Sequence, residues 1–139
     1  KSNAKATTST GGPHRTRNYI VQEDLCLCSA FLNVSKDPIV GTNQSSEGYW
    51  ERIHQYYHAH RTFVSDRNPG SLVHRWTTIR EAVQKFCGYK ALQDRLDKSG
   101  HTEEDRIQAA IKMYRKHNKC KEFNFRHCWE ALHEAQKWK

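Results

Sequence analysis

The sequence predicts an all-α fold, a bundle of three helices with additional C-terminal helices, and three observations predict it. Tyr19, Trp50 and Trp76 each fall in a separate helix-like stretch. Helix-start signatures stand at Asn68-Pro69 and at Thr102-Glu103-Glu104-Asp105. No segment alternates apolar and polar residues over the length a strand needs.

Residues 1–17 are Ser, Thr, Gly, Lys and Arg with hardly an apolar side chain. Such a stretch does not offset its ordering entropy, so a disordered basic tail is expected. A first helix is predicted from about Gln22 to Ser35. Glu23 and Asp24 fall in its first turn, where the helix dipole favours acidic groups. Leu25, Cys28 and Leu32 form one stripe, widened by Leu27, Phe31 and Val34. Asp37-Pro38 ends it, because the residue before proline avoids helical angles. Ile39 to Ser45 reads as a polar loop. A second helix starts with Ser46 as cap and runs to about His60, with Trp50, Ile53 and Tyr57 inward.

The third helix opens on Asn68 as N-cap and Pro69 at the first helical position. Leu72, Trp76, Ile79, Val83 and Phe86 recur at helical steps and form its apolar side. His74, Thr77, Thr78, Glu81 and Lys85 face the other way. The helix ends near Gly88 or continues through Leu92 and Leu96 to a turn at Asp97-Lys98-Ser99-Gly100. The fourth helix begins at Thr102, with Ile107, Ala110, Ile111 and Tyr114 inward. The fifth covers Phe125 to Trp138, with Phe125, Cys128, Trp129 and Leu132 inward. The expected organisation is a tail over 1–17, a helical domain over 18–97 and a helical extension over 98–139.

The chain has 139 residues, of which 36% are hydrophobic, and the mean hydropathy is −0.96. A modest core must therefore rely on bulk. Four Trp, six Tyr and five Phe supply it, since each aromatic buries roughly 150–250 Å². The formal charge is +8 and the pI about 9.4, which meets the electrostatic criterion for nucleic-acid binding. No apolar run approaches the roughly twenty residues that cross a bilayer. Five cysteines are an odd number without framework spacing, so reduced core thiols are expected. Cys26 and Cys28 point about 200° apart on a helix, and no paired-ligand knuckle is present, so no metal is expected.

Several short stretches carry a resemblance. They read Gly41-Thr42-Asn43-Gln44, Tyr49-Trp50-Glu51-Arg52-Ile53, Arg75-Trp76-Thr77-Thr78-Ile79, Phe86-Cys87-Gly88 and His127-Cys128-Trp129-Glu130-Ala131-Leu132. In this order they resemble the Myb/SANT-like, trihelix-like DNA-binding domains of plants and of PIF/Harbinger-type transposons, over about residues 17 to 135. The resemblance implies a helix-turn-helix bundle whose third helix enters the major groove of double-stranded DNA. Base-reading positions then fall on Val73, His74, Thr77 and Thr78. Arg67, Arg75 and Arg80 would contact phosphates or brace the helix, and Lys85 lies on the same basic face. Arg75 is equally readable as an ion-pair partner of a helix-one carboxylate.

The expected function is therefore sequence-specific DNA binding by a nuclear protein, transcription-factor-like or transposon-derived. The alternative is a SANT-type interaction module for chromatin, a transposase-like nuclease or another transcription factor. No enzyme is expected: no Gly-rich phosphate loop or carboxylate pair stands out, and the adjacent His127 and Cys128 point about 100° apart on a helix. No cofactor is implied.

Overall fold

Five helices form the fold among the described residues, and no strand occurs among them. The computed structural model describes residues 18–36, 46–96 and 99–136. The tail over 1–17, the loop with the Gly41–Gln44 motif, Asp97-Lys98 and Trp138 lie outside them. The helices are α1 (Val21–Ser35), α2 (Ser46–His60), α3 (Pro69–Leu96), α4 (Glu103–His117) and α5 (Arg126–Gln136). Between Gly88 and Leu96 the sequence left two outcomes open, and α3 runs through unbroken.

Two of the helix starts follow the caps expected of them. Asn68 Oδ1 accepts the Ser71 N–H at 2.8 Å, satisfying one orphan donor of α3. At α4, Thr102 Oγ1 accepts the Asp105 N–H at 3.1 Å, and the Asp105 carboxylate returns a bond to the Thr102 N–H at 2.9 Å. Ile20 precedes α1 and has no capping oxygen. The Glu23 carboxylate takes the Ile20 N–H instead, at 3.1 Å. Past α4, Lys119 and Cys120 adopt left-handed angles, φ 56° and 63°. The Cys120 N–H reaches back to the Arg115 carbonyl at 3.0 Å, which closes the helix end.

α1 packs on α2 and α5, and α3 packs on α4. One core runs through all five helices. Phe31 stacks on Trp76 with ring centroids 4.2 Å apart. Phe86 stacks on Phe123 at 4.4 Å and meets Trp129 edge-on at 5.1 Å. These contacts join the apolar side of α3 to α1 on one flank and to the C-terminal residues on the other. The α1 stripe differs from its sequence reading. Leu25 is exposed, whereas Leu27, Cys28, Ala30 and Val34 are buried together with the acidic Glu23 and Asp24. The buried face is rotated so that two carboxylates enter the interior.

Lys90 is likewise buried, at 7% exposure. Its ammonium reaches Asp94 at 2.7 Å and Glu103 at 3.1 Å. Arg106 ties the same two carboxylates from α4, at 3.0 and 2.9 Å. This four-residue network fixes α4 against the end of α3.

Candidate functional site

Three features carry chemistry: a buried ionic network under α1, an apolar cleft beside α3, and a polar groove on the opposite side of α3.

The network starts from Glu23, 1% exposed. Arg67 donates to it twice, Nε to Oε2 at 2.7 Å and Nη2 to Oε1 at 3.1 Å. The Tyr57 and Ser65 hydroxyls donate to Oε2 at 3.1 and 3.2 Å. The Arg67 guanidinium lies 3.8 Å from the centroid of Tyr19. Burial alone would push the Glu23 carboxyl up. The Arg67 fork, the Ile20 N–H and Tyr57 outweigh it, and the net displacement is downward, so Glu23 is a carboxylate. Burial drives the Tyr57 phenol well upward despite the Ser65 hydroxyl, so it stays a donor.

Asp24, 2% exposed, anchors the second half. Arg75 forks onto it, Nε to Oδ1 at 2.8 Å and Nη2 to Oδ2 at 3.0 Å. His127 Nε2 lies 3.0 Å from Oδ2. Cys128 is fully buried beside Cys28, and the Cys28 contact, then burial, pushes its thiol strongly upward. The ligand atoms of Asp24, His127 and Cys128 all lie within 4.8 Å of one another. His127 and Cys128 thus converge, contrary to the divergence expected of helical neighbours. They sit in the opening turn of α5, and both side chains bend toward α1.

The apolar cleft encloses about 370 Å³ between α1, α3 and α5. Phe31, Trp76, Val83 and Leu132 line it, with Arg80 and His133 also on its wall. Burial pushes the Cys87 thiol in the same wall up, partly offset by the Trp129 indole, so it is no activated nucleophile. The polar groove, about 800 Å³, runs between α3 and the chain that follows α4. Thr78, Glu81 and Lys85 line one side, and His117, Lys119 and Lys121 line the other.

These placements redistribute the residues expected to touch DNA. Arg67 is 2% exposed and braces the interior instead of reaching outward. Arg75 is the intramolecular ion-pair partner of a helix-one carboxylate. The Thr77 and Thr78 hydroxyls donate to the Val73 and His74 carbonyls, at 3.0 and 3.2 Å. Val73 is half-buried and His74 exposed. Arg80 belongs to the cleft and Lys85 to the groove on the other side. The sequence offered a helix-one carboxylate as one of two readings for Arg75, and Asp24 is that carboxylate; the pairing of Glu23 with Arg67 and the approach of His127 to Asp24 were missed. The available signal was the adjacent acidic pair Glu23-Asp24 at the start of an apolar helix, whose inward face leaves carboxylates that need counter-charges.

Comparison with known proteins bears on the assignment. The chain is similar to two plant glutathione S-transferases. It is 34% identical over 140 residues to glutathione S-transferase T3 of Arabidopsis thaliana, covering 98% of this chain and 23% of that protein. It is 33% identical over 130 residues to glutathione S-transferase T2 of the same plant, covering 89% of this chain and 22% of that protein. The chain therefore spans less than a quarter of the length of the curated relatives it matches. No family model matches it, and no solved structure does.

The relatives' names correct the functional expectations. They are names of glutathione transferases, not of DNA-binding proteins. On that finding the Myb/SANT-like (trihelix-like) assignment is withdrawn. With it go the DNA-binding function, the transcriptional or transposon-derived role and the SANT-type interaction module. The double-stranded DNA, transposase-like and transcription-factor partners and the non-enzymatic class are withdrawn as well. The buried position of Arg67 and the fork of Arg75 on Asp24 agree with removing these two side chains from any outward-facing contact set.

Proposed function

We propose that the chain is a ligand-binding helical module of a protein of the glutathione S-transferase kind. Its cleft between α1, α3 and α5 takes the apolar part of a glutathione-linked ligand. The observation that carries this reading is the cleft itself. Its volume of about 370 Å³ falls in the range of small-molecule pockets, roughly 300–1,000 Å³. Phe31, Trp76, Val83 and Leu132 suit an apolar substituent. Arg80 and His133 are the basic groups beside it, and glutathione carries two carboxylates for them to meet. The relatives' names supply the glutathione chemistry. Conjugation belongs to the whole protein, and binding is the part assigned to this chain.

Titration of S-hexylglutathione into the chain, followed by NMR of the tryptophan indoles, tests the reading. Trp76 and Trp129 resonances should shift and saturate, and Arg80→Gln should weaken binding several-fold. Plain glutathione should bind more weakly, because its thiol leaves the apolar floor uncovered. Unmoved indoles with S-hexylglutathione at millimolar concentration would overturn it.

A further inference from the structure

We infer that Asp24, Cys28, His127 and Cys128 form a binding site for a tetrahedral divalent metal ion of the zinc type. The four residues come from two helices that face each other. Asp24 and Cys28 are four residues apart, which puts both on one side of α1. His127 and Cys128 open α5 against that side.

The distances suit such an ion. Zinc binds nitrogen and oxygen at about 2.0–2.2 Å and sulfur at about 2.3 Å, so tetrahedral edges run about 3.3–3.7 Å. His127 Nε2 and Asp24 Oδ2 stand 3.0 Å apart, and the Asp24, His127 and Cys128 ligand atoms all fall within 4.8 Å of one another. Cys28 lies outside that cluster of three, fully buried one turn along α1 from Asp24 and beside Cys128, and it is the fourth ligand of the inferred site.

The electrostatics suit it too. A dication with two thiolates, one carboxylate and a neutral imidazole carries one negative charge. Arg75, forked on both Asp24 oxygens at 2.8 and 3.0 Å, cancels it. That fork also orients the carboxylate, the part an outer partner plays for a metal ligand. Both cysteines are fully buried, which limits exchange with solvent. Each thiol gives its proton to solvent as the ion binds.

Cobalt(II) titration of the reduced full chain tests the inference. Sulfur-to-cobalt charge transfer and intense tetrahedral d–d bands should appear and saturate at one ion per chain. Zinc should abolish them. Cys28→Ser or Cys128→Ser should lower the charge-transfer band about twofold, whereas the Cys87→Ser/Cys120→Ser double variant should leave it intact. X-ray absorption of the zinc-loaded wild-type chain should find two sulfur and two nitrogen or oxygen neighbours, a reading that needs no variant to fold. Absence of the charge-transfer band would overturn the site, as would its loss in the Cys87→Ser/Cys120→Ser variant. In either case His127 and Asp24 would share only a hydrogen bond beside two packing thiols.

Discussion

Glu23 and Arg67 are each about 2% exposed at the side chain, and each supplies the other's counter-charge. Removing two charges from water is costly, and the pair repays it through close geometry and the added bonds from Tyr57 and Ser65. Glu23→Gln keeps the shape and removes the charge, leaving Arg67 without its counter-ion. It should cost about 3–5 kcal/mol, the usual penalty for an uncompensated buried charge. Adding Arg67→Met should recover part of that loss. Urea denaturation of both variants checks it, and a near-wild-type midpoint for Glu23→Gln alone would remove the pair from the account of stability.

Along α3, Gly88 sits in the middle of 28 helical residues. A Cβ built there meets nothing within 4 Å. Glycine at that point costs backbone entropy and returns no packing, so Gly88→Ala should stabilise the chain by about 0.5–1 kcal/mol. The melting temperature should rise by roughly 2–5 °C; an unchanged or lower value would mean that α3 needs to bend there. Much of this scale was legible in the sequence. The Asn68 and Thr102 caps, the long apolar stripe of α3 and the starts of α2 and α4 follow local rules that side-chain spacing reports directly. The face of α1 was less legible. Its orientation is set by Arg67 and Arg75, 44 and 51 residues away, and periodicity within one helix carries no information about such partners. The cleft was not legible at all, because Phe31, Trp76 and Leu132 read separately as core and converge only once α5 is in place.

Across the molecule, the last two helices are tied by Glu104 and Arg126. Arg126 donates to both Glu104 oxygens at 2.6 and 2.8 Å and to Glu130 at 3.0 Å. The Arg126 and Gln108 bonds draw the Glu104 carboxyl from an ordinary 4.5 down to about 2. A carboxyl depressed in the folded state contributes stability that is complete above about pH 4.5 and lost as the pH falls through about 2. The melting temperature of wild type over Glu104→Gln should therefore narrow across that window, measured at several pH values and low salt. A constant difference would place the acid response elsewhere. The pair is exposed to solvent, so added salt should shrink the effect. A further consequence belongs to Asp24, whose histidine partner lies 103 residues later. At roughly 5–20 residues per second of synthesis, the ribosome takes about 5–20 s to deliver His127 after Asp24. Arg67 and Arg75, 44 and 51 residues on, reach α1 first and match its carboxylates, so only the histidine contact and the cover that the final helix lays over α1 are left for the end of synthesis.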